Sequence, residues 1–173
     1  MLKANFITAQ EAAEKIQDGS TLCTIGMTLV SASESILKAI EKRFETVGHP
    51  ADITLVHSCG QSDRKDGIQH LAHEGLVKRI VGSHWGLQPR WMEMIANSQV
   101  EAYCLPQGQI AQLYRSMACG LPGKMSKVGL GTFIDPRVEG GKMNDRTKPL
   151  PDIVDILEYG GEDYMFYKEI PLD

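Results

Sequence analysis

The chain has 173 residues, of which 42% are hydrophobic and 23% charged, a composition that excludes disorder as its main state. Its net charge of −4 argues against a nucleic-acid-binding protein, and no apolar run approaches the ~20 residues of a membrane helix. The first residues, 1–6, lack a secretory apolar region, so we expect a cytoplasmic protein without membrane or nucleic-acid partners.

The N-terminal segment predicts a helix and then a strand. Thr8 and Glu11 have the spacing of a capping box, which opens a helix of about ten residues that Gly19 ends. Residues 21–25 are rich in β-branched side chains and predict a strand that stops at Gly26.

A second helix and strand follow. Residues 31–34 read Ser-Ala-Ser-Glu and predict another capping box. Gly48 and Pro50 break the helix, and residues 53–56 form the next strand. Four apolar residues at helical spacing indicate the buried face of this helix, namely Ile36, Leu37, Ile40 and Phe44.

The stretch 59–69 is polar and has the length of a functional loop. Its neighbour Ser58 and its residues Gln61, Asp63 and Arg64 could close over a ligand. The alternative is a solvated loop without a role in binding.

The middle of the chain alternates between helices and strands. Residues 70–76 predict a short helix, and residues 89–97 and 108–117 predict longer ones. Residues 78–82 and 100–105 predict strands. The last helix has apolar residues at i, i+3, i+4 and i+7, namely Ile110, Leu113, Tyr114 and Met117.

The pattern changes after residue 120. Residues 129–137 are glycine-rich and predicted to be extended, and residues 138–152 form a loop. Residues 153–158 and 164–168 alternate around Gly160-Gly161, which predicts a β-hairpin. The chain closes on apolar residues without a polar tail, so we interpret it as cut short.

These elements predict an α/β fold. Repeated strand–helix units with short connections imply an open, doubly wound and mostly parallel sheet flanked by helices, with the hairpin at its C-terminal end. We expect residues 1–173 to form a single domain.

The four cysteines show no Cys-x-x-Cys spacing, which argues against a zinc ribbon or a redox elbow. We interpret them as reduced thiols in a cytoplasmic protein, with Cys23 and Cys104 inside apolar strands. Cys119, at a helix end, is the thiol that we would test for reactivity.

Ligands bind beyond the carboxyl ends of the strands in such sheets. One candidate is the 26–31 turn with Gly26, Met27 and Thr28, whose backbone amides could hold an anion. The alternative for this segment is a simple turn from strand to helix.

Pro106-Gln107-Gly108 is the second candidate, because Pro106 ends a strand and Gly108 would allow close backbone approach. The Gln107 amide could donate to a carbonyl oxygen that develops negative charge. The alternative is a glutamine that caps the following helix.

Other patterns are weaker. His70, His73 and Glu74 lie close in sequence but lack the His-Glu-x-x-His order and a further ligand, so a packing role is favoured over a metal and no metal site is predicted. Gly129-x-Gly131 lacks the third glycine of a dinucleotide site, and residues 120–125 do not have P-loop spacing.

Five stretches, in order, resemble the N-terminal half of class I coenzyme A transferases, closest to the acetate and propionate CoA-transferases. They are 73–78, 82–85, 106–108, 129–137 and 140–144. The run Gly-Leu-Gly-Thr-Phe-Ile-Asp-Pro-Arg followed by Gly-Gly-Lys is the most specific. The resemblance implies a doubly wound domain that is paired in the whole enzyme with a second domain.

The resemblance also implies ping-pong transfer through an acyl-glutamyl anhydride and a glutamyl-CoA thioester. It implies that Gln107 is the oxyanion donor and that Gly26 and its loop line the acyl pocket, with Pro106 and Gly108 beside Gln107. Residues 27–30 depart from glycine-rich relatives, which puts the acyl-chain preference in doubt.

The nucleophilic glutamate of the family lies in its C-terminal half, and Glu139 does not take that place. We therefore expect a partner segment or β subunit that carries the glutamate, coenzyme A as substrate, no resident cofactor, and a homo- or hetero-oligomer. The alternatives are a non-catalytic ligand-binding or assembly domain and the α subunit of a related acyl-transfer lyase.

Overall fold

The computed structural model describes residues 5–173, so the prediction made from residues 1–6 lies largely outside the described part. Four parallel strands form the main sheet in the order β1-β2-β3-β4. Their bounds are Thr21–Thr24, Ile53–His57, Val77–Gly82 and Glu101–Cys104. The predicted parallel sheet flanked by helices is confirmed.

The helices of the chain are α1 (Ala9–Glu14), α2 (Glu34–Val47), α3 (Pro89–Ala96) and α4 (Gln107–Ala118). The capping box at Thr8 is confirmed, but α1 ends five residues before Gly19 and is shorter than predicted. None of the helices in residues 5–173 has the combination of length and apolar character that crossing a bilayer requires.

The second predicted capping box is wrong. Ser33 precedes α2 without a side-chain cap bond. The Glu34 carboxylate instead accepts a hydrogen bond from the Gly67 amide at 2.9 Å and contacts Lys38 at 3.0 Å. A tertiary partner has replaced the local one.

The predicted helix at 70–76 is a 3₁₀ helix over Gly67–Leu71, earlier in the chain. Segment 129–137 is a series of turns and not an extended stretch. Strand β5 (Gly123–Ser126) was missed, because its partner lies about 40 residues later and its own sequence has no strand pattern. It pairs with β7 (Glu162–Lys168), which forms the predicted hairpin with β6 (Val154–Tyr159).

Alternate residues of the main sheet pack into two cores. Leu55, Ile80 and Ala102 lie in register and face the layer of α1, α2, the 3₁₀ helix and α3. Val56 and Val81 belong to the second core, with residues of α4 and the small sheet. Right-handed crossovers between strands in consecutive order place their connections on one face, which leaves the other face for α4 and the hairpin.

Candidate functional site

A cleft of about 410 Å³ lies at the carboxyl ends of the four parallel strands. Its walls come from the segments that follow each of those strands. The lining residues are Met27, Thr28, Cys59, Gly60, Ser83, His84, Leu87 and Gln107. Three of the six predicted site residues therefore meet here, namely Met27, Thr28 and Gln107.

The turn after β1 is fixed by its own backbone. Met27 and Val30 exchange backbone hydrogen bonds of 3.1 and 2.9 Å, and the Thr28 amide donates to the Gly60 carbonyl at 2.8 Å. The amides of Met27, Thr28 and Val30 are therefore not free to hold an anion, and anion binding by the rest of this turn stays a prediction. Gly26 does not line the cleft; a Cβ at this position would lie 3.0 Å from the Val30 oxygen, so the glycine keeps the turn closed.

Gln107 lies at the start of α4 and its side chain is exposed. Pro106 is the N-cap, so Gln107 is the first helical residue and not the cap that the alternative interpretation required. The free amides of the first helical turn and the helix dipole make this end of the cleft favourable for negative charge.

A Cβ at Gly108 would meet no atom of the described residues within 4 Å, so no contact among these residues requires a glycine here. The close approach of a ligand to this backbone stays a prediction. Pro106 and Gly108 both flank Gln107 without lining the cleft.

A buried histidine at the end of β2 is hydrogen-bonded to a residue that lines the cleft. His57 is fully buried, and its Nδ1 lies 2.8 Å from the Cys59 carbonyl oxygen. Burial lowers the pKa of His57 to about 4, so its imidazole is neutral at pH 7 and Nδ1–H donates this bond. Among the described residues, its Nε2 has no hydrogen-bond partner.

Another wall of the cleft is formed by the residues that follow β3 in the chain. The Ser83 hydroxyl donates to the Ser58 carbonyl at 2.6 Å, which joins the turns after β2 and β3. His84 is exposed in the cleft, and a Cβ at Gly60 would lie 2.8 Å from its Nδ1. Trp85 is buried and packs in the first core.

The 59–69 loop is not a lid of the predicted kind. Gln61 is fully buried and donates from Nε2 to the Thr24 carbonyl at 2.8 Å. Asp63 accepts from the Lys65 and Asp66 amides, and Arg64 is exposed outside the cleft. Cys59 and Gly60 belong to the predicted 59–69 loop and Ser83 to the 82–85 stretch of the resemblance, but none of the three was predicted to line a site. Leu87 lies in no motif, and only its position after a strand could have indicated it.

All four cysteines are free thiols. Burial raises the pKa of Cys104 to about 11. Cys119 is exposed at the end of α4, away from the cleft, whereas Cys59 lines the cleft. Cys59 is therefore the thiol whose role in ligand binding we would test.

His70 and His73 do not group with Glu74, which accepts a hydrogen bond from Gln99 at 3.3 Å instead. They face carboxylates of α2: the Nε2 atom of His70 lies 2.8 Å from Glu34, and that of His73 lies 2.9 Å from Glu41. The favoured packing role therefore takes the form of hydrogen bonds between elements.

Three comparisons with known proteins bear on this chain. The profile of the family described as Coenzyme A transferase matches residues 6–171. The caffeate CoA-transferase of Acetobacterium woodii is 42% identical over 98% of this chain and 32% of its own length. The acetate CoA-transferase YdiF of Escherichia coli K12 is 37% identical over 96% of this chain and 32% of its own length.

The fold matches a solved structure as well. The crystal structure of the acyl-CoA transferase YdiF from Escherichia coli O157:H7, in a thioester complex with CoA, has a TM-score of 0.90. The identity is 36% over 96% of this chain and 33% of that chain. The chain thus spans about a third of the length of the relatives that it matches.

Proposed function

The chain belongs to the coenzyme A transferase family, and from this premise we propose that it is the N-terminal part of an acyl-CoA:carboxylate CoA-transferase. The enzyme would move coenzyme A between an acyl-CoA and a short-chain acid such as acetate or propionate. The observation that carries the proposal is the exposed Gln107 amide at the N-terminus of α4, on a cleft at the carboxyl ends of the strands.

The family's chemistry assigns a role to this amide. A glutamate carboxylate outside this chain attacks the thioester carbonyl, and collapse of the tetrahedral intermediate releases the CoA thiolate and leaves an acyl-glutamyl anhydride. The thiolate then attacks the glutamyl carbonyl, which releases the first acid and forms the glutamyl-CoA thioester. Gln107 donates from its NH₂ group to the oxygen that becomes negative in these steps.

The cleft offers an apolar side to the acyl group. Met27 and Leu87 line it together with the polar side chains of Ser83 and His84. One relative is named for acetate and another for caffeate, so acids of very different size are handled by proteins of this kind. Residues that line the cleft next to Gln107 are the ones that would select among them.

The proposed enzyme contains a partner segment that packs against this chain. Exposed apolar side chains surround the turn after β1, with exposed fractions of 65% at Ile25 and 67% at Val30. Apolar surface next to a site favours burial against another segment. We propose that the partner segment carries the glutamate and that the assembly is oligomeric. We also propose that the free thiols of this chain reflect a reducing cytoplasm.

The test compares the chain alone with a chimera. We expect the 173-residue chain to show no exchange between acetyl-CoA and labelled propionate, because it lacks the nucleophile. Joining it to the two thirds of the Acetobacterium woodii relative that it does not match should give exchange. In the chimera, Gln107→Ala should lower kcat about 10²–10³-fold.

Gln112→Ala is the matched control, because Gln112 lies exposed on the same helix outside the cleft. Exchange by the isolated chain, or a Gln107→Ala chimera as active as the control, would contradict the proposal. Saturable heat on titration of the isolated chain with acetyl-CoA, without exchange in the chimera, would favour the ligand-binding alternative.

A further inference from the structure

His70 lies between carboxylates on both sides of its ring. Its Nδ1 is hydrogen-bonded to Glu41, and its Nε2 lies 2.8 Å from Glu34 and 3.3 Å from Asp66. A neutral imidazole has one N–H and one acceptor nitrogen, and an acceptor nitrogen cannot bond to an ionised carboxylate. With carboxylates facing both ring nitrogens, the arrangement fits the imidazolium, in which both nitrogens donate.

The charges around His70 also favour its protonation. Lys38 and Arg90 are the permanent cations, with Lys38 at 3.0 Å from Glu34 and Arg90 at 3.7 Å from Glu41. His73 contacts Glu41 at 2.9 Å. The carboxylates on α2 and on the segment before the 3₁₀ helix outnumber these two cations, namely Glu34, Glu41, Glu45 and Asp66.

The cluster is connected to the cleft through the backbone. The second oxygen of Glu34 accepts from the Gly67 amide at 2.9 Å, and the next amide, of Ile68, donates to the Gln61 carbonyl at 2.9 Å. Gly67 has a φ of +77°, so the chain turns back sharply there. Gln61 follows Cys59 and Gly60, which form the cleft wall.

We propose that the His70 imidazolium is a positioning residue that clamps the 3₁₀ helix to α2 and thereby fixes the wall formed by Cys59 and Gly60. The clamp holds the Gly67 end of the 61–67 turn. The Gln61 side chain holds the other end to β1, because it donates to the Thr24 carbonyl. The inference rests on the proposed function only for the use of the cleft; the clamp itself is independent of it.

The pH dependence has a definite sign. Burial disfavours the His70 imidazolium, but hydrogen bonds and charges from Glu41 and Glu34 outweigh burial and raise the pKa of His70. The stabilisation is therefore complete below the ordinary value of about 6.5 and is lost as pH rises through the raised value. The pKa of Glu41 is lowered, since hydrogen bonds from His73 and His70 outweigh its burial, so the clamp also weakens in acid.

The test measures amide hydrogen exchange of Gly67 and Ile68 in the whole chain, together with an NMR titration of the His70 ring. After correction for the intrinsic pH dependence of exchange, we expect exchange to rise about tenfold or more as His70 loses its proton, the loss expected for a hydrogen bond to a charged group. In the His70→Gln variant, the Gly67 and Ile68 amides should exchange fast at every pH, and their exchange rate should show no step with pH.

His49→Gln is the matched control, because His49 forms an exposed pair with Asp18, 2.9 Å away, outside this cluster. This variant should keep the step. If His70→Gln does not fold, Glu34→Gln serves in its place and should lower the His70 midpoint. An ordinary or lowered His70 midpoint, or exchange that does not follow it, would overturn the proposal.

Exchange is also measured with EDTA, and a loss of protection on chelation would mean that a metal ion and not the imidazolium holds the segment. That outcome also overturns the proposal. The measurements need neither coenzyme A nor a partner segment. The clamp and the transferase activity can therefore fail separately.

Discussion

At the scale of single residues, the contact between His57 and Gly82 shows how the core supports the cleft. A Cβ at Gly82 would overlap the ring of His57, so only glycine leaves room for this buried imidazole. His57 in turn packs edge-to-face against Trp85, with ring centroids 6.0 Å apart. The residue that ends β3 thus determines the position of the turn after β2.

Gly82→Ala should lower the free energy of unfolding by about 1–3 kcal/mol, because the added methyl overpacks a site that cannot expand. Urea unfolding followed by circular dichroism measures the change. Gly108→Ala is the control, since a Cβ there meets open space and should change stability by no more than ~0.5 kcal/mol. Equal effects of the two substitutions would show that the His57 contact does not matter.

At the scale of elements, the β6–β7 hairpin depends on its two turn residues. Gly160 and Gly161 have φ values of +64° and +75°, the left-handed conformations that a two-residue hairpin turn favours. The turn fixes the register in which Ile156 faces Met165. Met165 is fully buried and belongs to the second core.

Gly160→Val should destabilise the chain by roughly 1–2 kcal/mol, because a β-branched residue is strained in the left-handed region. Gly160→Asn tests the same position with a residue that tolerates this conformation, and its cost should be clearly smaller. Thermal unfolding of the two variants makes the comparison. Similar losses for both would indicate that the glycine is needed for a reason other than φ.

The turns at 129–137 are joined to the hairpin by one buried carboxylate. Asp135 accepts from the Gly131 amide at 2.9 Å and from two nitrogens of Arg137 at 3.0 and 2.8 Å. Arg137 also donates to Asp163 of β7 at 2.6 Å. Hydrogen bonds from Arg137, more than any other cause, hold the pKa of Asp135 well below its usual range.

Asp135→Asn should cost about 1–3 kcal/mol at pH 7, because the amide removes the charge and one acceptor oxygen of a buried carboxylate. The contribution of a carboxylate with a lowered pKa is present above the unfolded value of about 3.9 and is lost as pH falls below it. The stability difference between the two proteins should therefore shrink below that pH. Urea titrations at pH 3, 5 and 7 measure it, and a pH-independent difference would contradict the assignment.

At the scale of the whole molecule, one exposed apolar surface lies beside β1, where Ile25, Met27, Leu29 and Val30 follow one another closely in the chain. The groove next to this strand has a volume of about 520 Å³ and includes Ile25, Tyr114 and Met117 in its lining. Under the proposed function, this surface is where the part of the enzyme that the chain does not span would pack.

Replacing both Ile25 and Val30 by Ser should leave the stability of the chain within ~0.5 kcal/mol, because both side chains are exposed. The Kd for the separate remaining two thirds of the Acetobacterium woodii relative should rise about tenfold, which corresponds to a loss of 1.4 kcal/mol. Titration calorimetry measures the Kd of the double variant and that of the unchanged chain. Val138→Ser, at an exposed valine that does not line this groove, is the control that should bind normally.

The sequence by itself determined the order of the elements and their type, because apolar periodicity and glycine positions are local properties of the chain. The parallel sheet, the capping box at Thr8 and the hairpin at Gly160-Gly161 were predicted from such local patterns. The position of Gln107 between a strand and a helix followed in the same way, and the resemblance supplied its chemical role.

Only the tertiary structure decided which side chains meet. Glu34 was predicted to cap its own helix and instead contacts His70, 36 residues later; Gln61 was predicted in a binding loop and lies in the core. Cys59 reaches the cleft because β2 ends beside β3, a fact of strand register. Hydrogen-bonding side chains bind whichever partner the packed backbone brings within about 3 Å, and that distance depends on contacts far apart in the chain.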